Sequence, residues 1–178
     1  MSIPDSRRPA RDLRVVSGGQ TGVDRAALDL ARELHLPCGG WCPRGRRAED
    51  GVVPARYRLR ETPSTAYTQR TEWNVRDADA TLILHRGPLQ GGSALTARIA
   101  RRLRRPLLRV DLAGAPDPAV VHDWLRAHGV RVLNVAGPRE SQRPGIYAEA
   151  RAFLLRAIAP GRRGAERSSG SADTRARR

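Results

Sequence analysis

The chain has 178 residues, 39% of them apolar and 4% aromatic, a length that suits one domain with its own hydrophobic core. No apolar run approaches the roughly 20 residues that span a bilayer. Residues 1–14 contain four arginines but not the apolar stretch of a secretory signal, so we predict a cytoplasmic protein without membrane segments.

The charge of the chain favours an anionic partner. The formal net charge is +15, and all 33 basic residues are arginine, which is typical of a coding bias. Residues 161–178 carry a net charge of +4 and residues 1–14 a net charge of +2, so a net charge of +9 remains in between. This balance does not separate a small phosphate from a polynucleotide, and for nucleic acid we expect nonspecific binding at most.

Composition divides the chain into three parts. Residues 1–12 are predicted to form a flexible basic arm, because untethered termini are usually disordered. Residues 13–159 are predicted to form a single ligand-binding domain. Residues 160–178 are rich in Arg, Gly and Ser, cannot bury a core, and are predicted to be a disordered tail.

In chain order, the domain begins with a strand, a glycine turn and a helix. Leu13–Val16 is a short apolar run with β-branched residues and predicts a buried strand. Apolar side chains recur with helical spacing over residues 23–34, and Pro37 ends this helix. Thr21 and Asp24 resemble a capping pair at the start of the helix.

A less regular part follows. Cys38–Trp41 predicts a second strand, and residues 43–67 lack a clear period, which in a stretch of this length is usually functional or mobile. Thr68–Ala78 predicts a helix that leads into Ala80–Leu84, the clearest strand in the middle of the chain.

The second half continues the alternation of strand and helix. After a second glycine turn at residues 87–92, Ser93 is predicted to cap a helix that ends before Pro106. The later elements are a strand at Leu107–Asp111, a helix with Asp117 as its N-cap, a strand at Val130–Val135 and a helix at Gly145–Ile158. The alternation predicts an α/β domain with an open, mostly parallel sheet and helices on both faces.

The first glycine turn is a candidate phosphate site. A turn between a strand and a helix exposes backbone N–H groups to which the helix dipole attracts an anion, and a hydroxyl or an arginine can add further bonds. The predicted phosphate contacts are Gly18, Gly19, Gln20, Thr21, Gly22, Asp24 and Arg25. The spacing matches neither the dinucleotide fingerprint nor the P-loop, and a tight turn without a ligand is the alternative.

The second glycine turn repeats this arrangement with Gly91, Gly92, Ser93 and Thr96. Ligands of parallel sheets bind beyond the carboxyl ends of the strands, where both turns are expected to face one crevice. Taken alone, this turn could equally be structural.

Two polar segments could contact the part of the ligand that lies beyond its phosphate. Arg70, Glu72 and Asn74 precede the central strand, and an arginine here could clamp a phosphate while a carboxylate acts as a general base or binds a ribose or pterin. A solvated helix face with an Arg–Asp pair is the alternative. The second segment lies around the end of the strand at Val130–Val135, and its candidates are Asn134, Gly137, Arg139, Glu140 and Ser141. A loop leading into a helix is the alternative there.

The cysteines do not predict a metal site. Cys38 and Cys42 are the only two, and the four histidines are scattered without ligand spacing, whereas zinc needs about four ligands. We interpret the pair as buried free thiols and expect no structural metal, although a thiol could still touch a soft metal such as molybdenum.

Several strings resemble a known family. They are GGQTGVDRAALDLA, GGWCPRGRRAEDG, RTEWNVRDADATLIL, GGSALT and LNVAGPRES with PGIY after it, and they span about Val15 to Leu155. They are similar to the "putative molybdenum carrier" family, which resembles the molybdenum cofactor carriers and belongs to the SLOG group of Rossmann-like domains. The resemblance implies a Rossmann-like α/β fold, a homo-oligomer and a ligand over the strand ends.

The resemblance also implies which residues hold that ligand. In the SLOG group, two glycine turns embrace a phosphate, and these positions fall here on Gly18, Gly19, Thr21 and residues 91–93. LOG enzymes of this group, which cleave nucleoside monophosphates, carry an arginine before the central strand, a position that Arg70 or Arg76 could take.

One departure from the LOG pattern decides between function hypotheses. The glutamate that follows the second turn in those enzymes is missing from residues 90–98. The leading hypothesis is therefore a non-catalytic binder or carrier of a phosphorylated, nucleotide-like or pterin-like molecule, with the molybdenum cofactor as first candidate. The alternatives are a phosphoribohydrolase with Glu72 or Glu140 as its acid/base, and a nucleotide sensor.

Overall fold

The structure, a computed structural model, describes residues 12–159. The predicted basic arm, apart from its last residue, and the predicted tail lie outside these residues. These residues contain nine strands and five α-helices. The strands are β1 (Arg14–Val16), β2 (Cys38–Gly39), β3 (Trp41–Cys42), β4 (Arg47–Ala48), β5 (Gly51–Val52), β6 (Arg60–Glu61), β7 (Ala80–His85), β8 (Leu107–Asp111) and β9 (Val132–Ala136). The helices are α1 (Val23–Glu33), α2 (Tyr67–Arg76), α3 (Gly91–Arg102), α4 (Ala119–Ala127) and α5 (Ile146–Ile158).

Five of the strands form the central sheet, in the order β2-β1-β9-β7-β8, and every pairing is parallel. Helix α5 contacts both α1 and α4, and these three helices share the main hydrophobic core with the sheet. Helices α2 and α3 pack together with a smaller core. This architecture confirms the predicted α/β class with a parallel sheet, a single domain and a Rossmann-like fold.

The prediction of one strand over Cys38–Trp41 was wrong. Cys38–Gly39 pairs with β1 in the central sheet, whereas Trp41–Cys42 pairs with Arg60–Glu61 in a separate two-stranded sheet. Gly40 lies between them with a φ of 127°, a conformation that L side chains rarely adopt, and turns the chain out of the first sheet.

Two predicted helix caps were also wrong. Helix α3 begins at Gly91, three residues earlier than a Ser93 cap predicts, so its N-cap is Gln90 and Ser93 lies inside the first turn. The N-cap of α1 is Gly22 without a side-chain bond, and the Thr21 hydroxyl is used elsewhere. Asp117 does cap α4, since its carboxylate accepts the Ala119 N–H at 2.9 Å.

The segment of residues 43–67, predicted to be irregular, contains β4, β5 and β6 and has a small core of its own. Its buried side chains Val53, Tyr57 and Leu59 pack with Leu28 of α1. The Tyr57 hydroxyl donates to Asp29 Oδ1 at 2.8 Å, which attaches the segment to α1. The segment is therefore packed against the helix that follows the first glycine turn.

Arg46 holds this segment together from within. Its guanidinium donates hydrogen bonds to four backbone carbonyl oxygens, at 2.9 to 3.1 Å, which belong to Val53, Pro54, Tyr57 and Leu59. A planar group with five N–H donors suits several carbonyls at once, which an ammonium cannot serve in the same geometry.

Arg46→Lys is expected to lower the free energy of unfolding by about 3 kcal/mol, because hydrogen bonds to a charged donor contribute about 1.5–3 kcal/mol each and several are lost. Urea denaturation followed by tryptophan fluorescence measures the change. The same substitution at the exposed neighbour Arg47 is the matched control and should change the value by less than about 0.5 kcal/mol. Equal effects at the two positions would contradict this role of Arg46.

Candidate functional site

The candidate site lies at the carboxyl ends of β1, β9 and β7, which are neighbours in the sheet. Residues 17–22 follow β1, residues 86–90 follow β7 and residues 137–145 follow β9, so these three loops meet at one edge. The chain leaves β1 for one face of the sheet and β7 for the other, which opens a crevice at this point.

The first glycine turn is buried, and several of its amides are engaged by the protein itself. The Gln20 N–H donates to Asp24 Oδ2 at 3.2 Å, and the Thr21 N–H donates to Gln20 Oε1 at 3.1 Å. The Val23 N–H, at the start of α1, donates to the Pro138 carbonyl at 3.4 Å. Asp24, predicted to contact phosphate, is thus an acceptor for the turn in this structure.

Arg70 lies directly against this turn. A Cβ on Gly18 would come within 1.8 Å of Arg70 Nη1, so only glycine leaves room for the guanidinium. Arg70 Nη1 is 3.4 Å from Asp24 Oδ2, and the two side chains are 14% and 5% exposed. Burial raises the pKa of the Asp24 carboxyl, and the Arg70 charge opposes that shift. Among residues 12–159, Arg70 Nε is buried without a hydrogen-bond partner.

Arg25, predicted to bind phosphate, is held by other groups. Its Nε donates to the Gly19 carbonyl at 3.2 Å, and its two terminal nitrogens form a bidentate pair with Asp50. The hydrogen bonds from Arg25 lower the pKa of the Asp50 carboxyl. Arg25 therefore connects α1 to the β4–β5 hairpin in this structure.

Thr21 and Ser141 meet at Glu49, a residue that was not predicted from the sequence. Both hydroxyls donate to the Glu49 carboxylate, and the Ser141 N–H donates to it at 3.3 Å. Although partial burial favours the protonated form, the bonds from Ser141 and Thr21 lower the pKa of Glu49. The only sequence signal was an acidic pair, Glu49 and Asp50, inside an arginine-rich segment.

The second glycine turn differs from the first because it is open. Helix α3 has no side-chain bond at its N-cap and no acidic residue in its first turn. Gly91 and Gly92 are exposed, and a Cβ on Gly92 would meet nothing within 4 Å. Ser93 and Thr96 are buried, and the Thr96 hydroxyl donates to the Gly92 carbonyl at 2.8 Å. The first N–H groups of α3 therefore remain available to an anion.

A shallow cleft that opens to solvent adjoins the start of α3. Its lining contains no aspartate or glutamate and consists of His85, Arg86, Pro88, Leu89, Gln90, Ser93, Pro138, Gln142 and Arg143. Arg143 Nε donates to the Arg86 carbonyl at 3.2 Å, and Arg86 pairs with Glu149. His85 Nδ1 lies 2.6 Å from the Gly87 carbonyl oxygen, which accepts its proton. Sequence reasoning missed His85, Arg86 and Arg143.

Two predicted carboxylates are engaged in structural contacts. Glu72 pairs with Arg102, the last residue of α3, at 2.8 Å, and so lies towards the far end of that helix from its open turn. Glu140 accepts the N–H groups of Gly145 and Tyr147, at 2.5 and 3.0 Å, and thereby caps α5. Their contact with a ligand stays a prediction.

The two predicted asparagines are buried and hydrogen-bonded within the fold. Asn74 accepts the Trp41 N–H at 2.8 Å and donates to the Trp41 carbonyl at 2.9 Å, which ties α2 to β3. Asn134 Nδ2 donates to the Thr81 hydroxyl at 3.3 Å, between neighbouring strands. These amides hold the framework around the site, and their role as ligand contacts also stays a prediction.

Gly137 and Arg139 belong to the loop after β9. A Cβ on Gly137 would lie 2.4 Å from both the Leu84 carbonyl oxygen and Val23 Cγ2, so this glycine allows the start of α1 to approach the sheet. The guanidinium carbons of Arg139 and Arg70 lie 5.0 and 5.8 Å from the centre of the Tyr67 ring. The ring thus has two cations beside it at the edge of the crevice.

The described residues contain no cluster of three or more side chains of the metal-binding types. Cys42 is buried and Cys38 is half-buried, both thiols are free, and burial raises the pKa of each. Within residues 12–159, no helix is long and apolar enough to cross a membrane.

One solved structure supports the resemblance seen in the sequence. A crystal structure at 1.45 Å resolution of a "Putative molybdenum carrier protein" from Syntrophus aciditrophicus SB is 44% identical, with a TM-score of 0.81 over 85% of this chain and 98% of that chain. The structure of (E)-4-hydroxy-3-methyl-but-2-enyl diphosphate reductase is 13% identical over 80% of this chain and 59% of that chain, with a TM-score of 0.36. No curated protein matches the sequence.

The family assignment rests on nearly the whole described domain. Residues 15–158 match the model of a single SLOG family, and this range includes both glycine turns and the loop after β9. The chain belongs to the circularly permutated YpsA SLOG family.

Proposed function

We propose that the protein binds a phosphorylated small molecule at the carboxyl edge of the sheet, with the phosphate at the start of α3. The observation that carries the proposal is the open first turn of α3, which faces a cleft lined by two arginines and by no acidic residue. Free N–H groups and the positive end of the helix dipole favour an anion there.

The neighbouring side chains fit a dianionic phosphate. Arg143 uses its Nε and Nη1 on backbone carbonyls, which fixes the guanidinium at the wall of the cleft. The Nδ1 proton of His85 is directed to the Gly87 carbonyl, so the Nε2 of a neutral His85 offers the ligand an acceptor and not a donor. A phosphate at this place would receive backbone, guanidinium and hydroxyl donors together.

The rest of the ligand is proposed to reach towards the first turn. Arg70 Nε is a buried donor that lacks an acceptor among the described residues, and an acceptor atom of a ligand would satisfy it. Tyr67, with Arg70 and Arg139 beside it, offers an aromatic face to a planar ring. Nucleotides and phosphorylated pterins both combine a phosphate with such a ring.

The molybdenum cofactor is the first candidate among these ligands, because a relative that is 44% identical is named a molybdenum carrier. The donors around α3 fit the phosphate of its pterin part. In this proposal, the protein holds the cargo through the phosphate of its organic part.

Carriage without catalysis is the preferred form of the proposal. Glu72 and Glu140, the candidate acid/base groups of a phosphoribohydrolase, are engaged with Arg102 and with the start of α5. Incubation with a panel of nucleoside monophosphates tests the alternative, since release of free base would establish an enzyme. The homo-oligomer and the cytoplasmic location implied by the sequence stay predictions, and sedimentation velocity tests the first of them.

Gly92→Asp is expected to reduce the phosphorylated ligand that co-purifies from the native host by about tenfold, because a carboxylate at the start of α3 repels the phosphate and occupies the same N–H groups. Mass spectrometry of the denatured protein measures the retained ligand and identifies it.

Ala152→Asp adds the same charge at an exposed position of α5 and serves as the matched control. Equal retention in the two variants would contradict a phosphate site at α3. A retained ligand without phosphate or pterin would overturn the proposed ligand class.

A further inference from the structure

The hairpin of β4 and β5 is attached to the ligand edge by its tip. At the tip, Glu49 contacts Thr21 of the first glycine turn and Ser141 of the loop after β9, and Asp50 pairs with Arg25. The rest of the tip packs little, since Val52 is 69% exposed and a Cβ on Gly51 would meet nothing within 4 Å. Polar contacts, and Glu49 above all, therefore decide where the tip lies.

The groups that hold Glu49 are those of an anion site. The Thr21 hydroxyl, the Ser141 hydroxyl and the Ser141 N–H all donate to its two carboxylate oxygens, and the positive charge of Arg139 acts on it as well. Hydroxyls, a backbone N–H and a nearby guanidinium form the donor set with which proteins bind phosphate and carboxylate groups.

This donor set is held in place without Glu49. The Glu140 N–H donates to Thr21 Oγ1 at 3.2 Å, which leaves the Thr21 hydroxyl proton to point elsewhere. The Glu140 carboxylate binds the first N–H groups of α5, and this fixes the loop that carries Ser141. Removal of the hairpin tip would thus leave a preorganised site of three donors.

Gln20 supplies a second, independent observation. Its side chain is 4% exposed, and its Oε1 accepts the Glu49 N–H at 2.9 Å and the Thr21 N–H at 3.1 Å. Its Nε2 is buried and has no hydrogen-bond partner among residues 12–159. Since buried donors are nearly always paired, the amide beside the hairpin tip lacks an acceptor that another molecule would supply.

We propose that Glu49 is an internal substitute for an oxyanion group of the ligand, and that the hairpin tip is displaced when a phosphate or carboxylate group takes its place on Thr21 and Ser141. The proposal rests on the proposed function and extends it, because a ligand that uses both places carries two anionic groups. Pro138 and Gln142 of the same loop line the cleft at α3, so both places adjoin the loop of residues 137–143.

The test is a titration of the full chain with inorganic phosphate, and separately with acetate, followed by the amide NMR signals of Thr21 and Ser141. In Glu49→Ala the site is empty, and phosphate should bind there about tenfold more tightly than in the natural protein, because no carboxylate has to be displaced. Glu49→Gln keeps the length of the side chain but removes its charge, so its phosphate affinity should lie between those of the natural protein and Glu49→Ala. A stronger response to acetate than to phosphate would identify the group as a carboxylate.

Val52→Ala is the control, since it alters the same hairpin at an exposed side chain and should leave the affinity unchanged. When Ser141→Ala is added to Glu49→Ala, the increase in phosphate affinity should disappear. Equal phosphate affinity in Glu49→Ala and the natural protein would overturn the proposal.

The two proposals fail in different ways. If Gly92→Asp loses the ligand but Glu49→Ala does not change the phosphate affinity measured at the amides of Thr21 and Ser141, only the site at α3 is supported. If Glu49→Ala raises the phosphate affinity about tenfold but Gly92→Asp does not change the amount of retained ligand, only the site beneath the hairpin is supported.

Discussion

Gly22→Ala is expected to lower the free energy of unfolding by about 4 kcal/mol, as the sum of backbone strain and steric overlap. Gly22 has a φ of 75° and a ψ of −128°, a combination that residues with a Cβ rarely adopt. An added Cβ would also lie 2.4 Å from the Pro138 carbonyl oxygen and 2.9 Å from the Glu140 backbone nitrogen. These are backbone atoms of the loop after β9, which cannot move aside as the end of a side chain does.

Gly92→Ala is the matched control, since Gly92 stands in the first turn of α3 with open space around it. There alanine should raise the free energy of unfolding by up to about 1 kcal/mol, the usual difference between the two residues in a helix. Thermal and urea denaturation of both variants measure the contrast. If Gly22→Ala and Gly92→Ala changed the free energy of unfolding by the same amount, the close contact of Gly22 with residues 138–140 would be contradicted.

Arg70→Met is expected to lower the free energy of unfolding by about 3 kcal/mol at neutral pH, because it leaves the Asp24 carboxylate buried without its cation. Arg70 is the nearest cation to Asp24, at 3.4 Å, and both side chains are mostly buried. Asp24→Asn in the same chain should restore most of the loss, since the amide needs no counter-charge. Arg98→Met, at an exposed position of α3, is the control and should change little.

The loss in Arg70→Met should depend on pH in a defined direction. Burial raises the pKa of Asp24 in the folded state above its ordinary value of 3.8, and removal of Arg70 raises this pKa further. The folded state then binds this proton more tightly than the unfolded state, so the contribution of Asp24 to stability is highest below pH 3.8 and falls as the pH rises through the folded-state pKa. The difference from the natural protein should therefore widen from acidic to neutral pH, and Asp24→Asn should remove that widening.

The parts of the fold that follow one uninterrupted pattern could be predicted from the sequence. The strands predicted at Ala80–Leu84 and Leu107–Asp111 are found at Ala80–His85 and Leu107–Asp111, and helical spacing located α1 within one residue. The division of Cys38–Trp41 into two strands could not be predicted. At Gly40 the chain changes from pairing with β1 to pairing with β6, and a run of four residues is too short to show such a change in its pattern.

The candidate site was predictable where backbone conformation determines it, and not where distant side chains complete it. Both glycine turns lie at the predicted edge. The contact between Glu49 and Ser141 spans 92 positions in the sequence, and no local pattern relates two such residues. For the same reason, the hydrogen bonds between Asn74 and Trp41 could not be inferred from the sequence.

The position of β9 affects how the protein can fold while it is synthesised on the ribosome. Strand β1 pairs with β2 and β9, and β7 pairs with β8 and β9, so no pairing joins the two halves of the sheet until residues 132–136 have been synthesised. Contacts of such long sequence separation form late and slowly. A nascent chain that ends before β9 therefore leaves the edges of β1 and β7 unpaired, and unpaired strand edges favour aggregation.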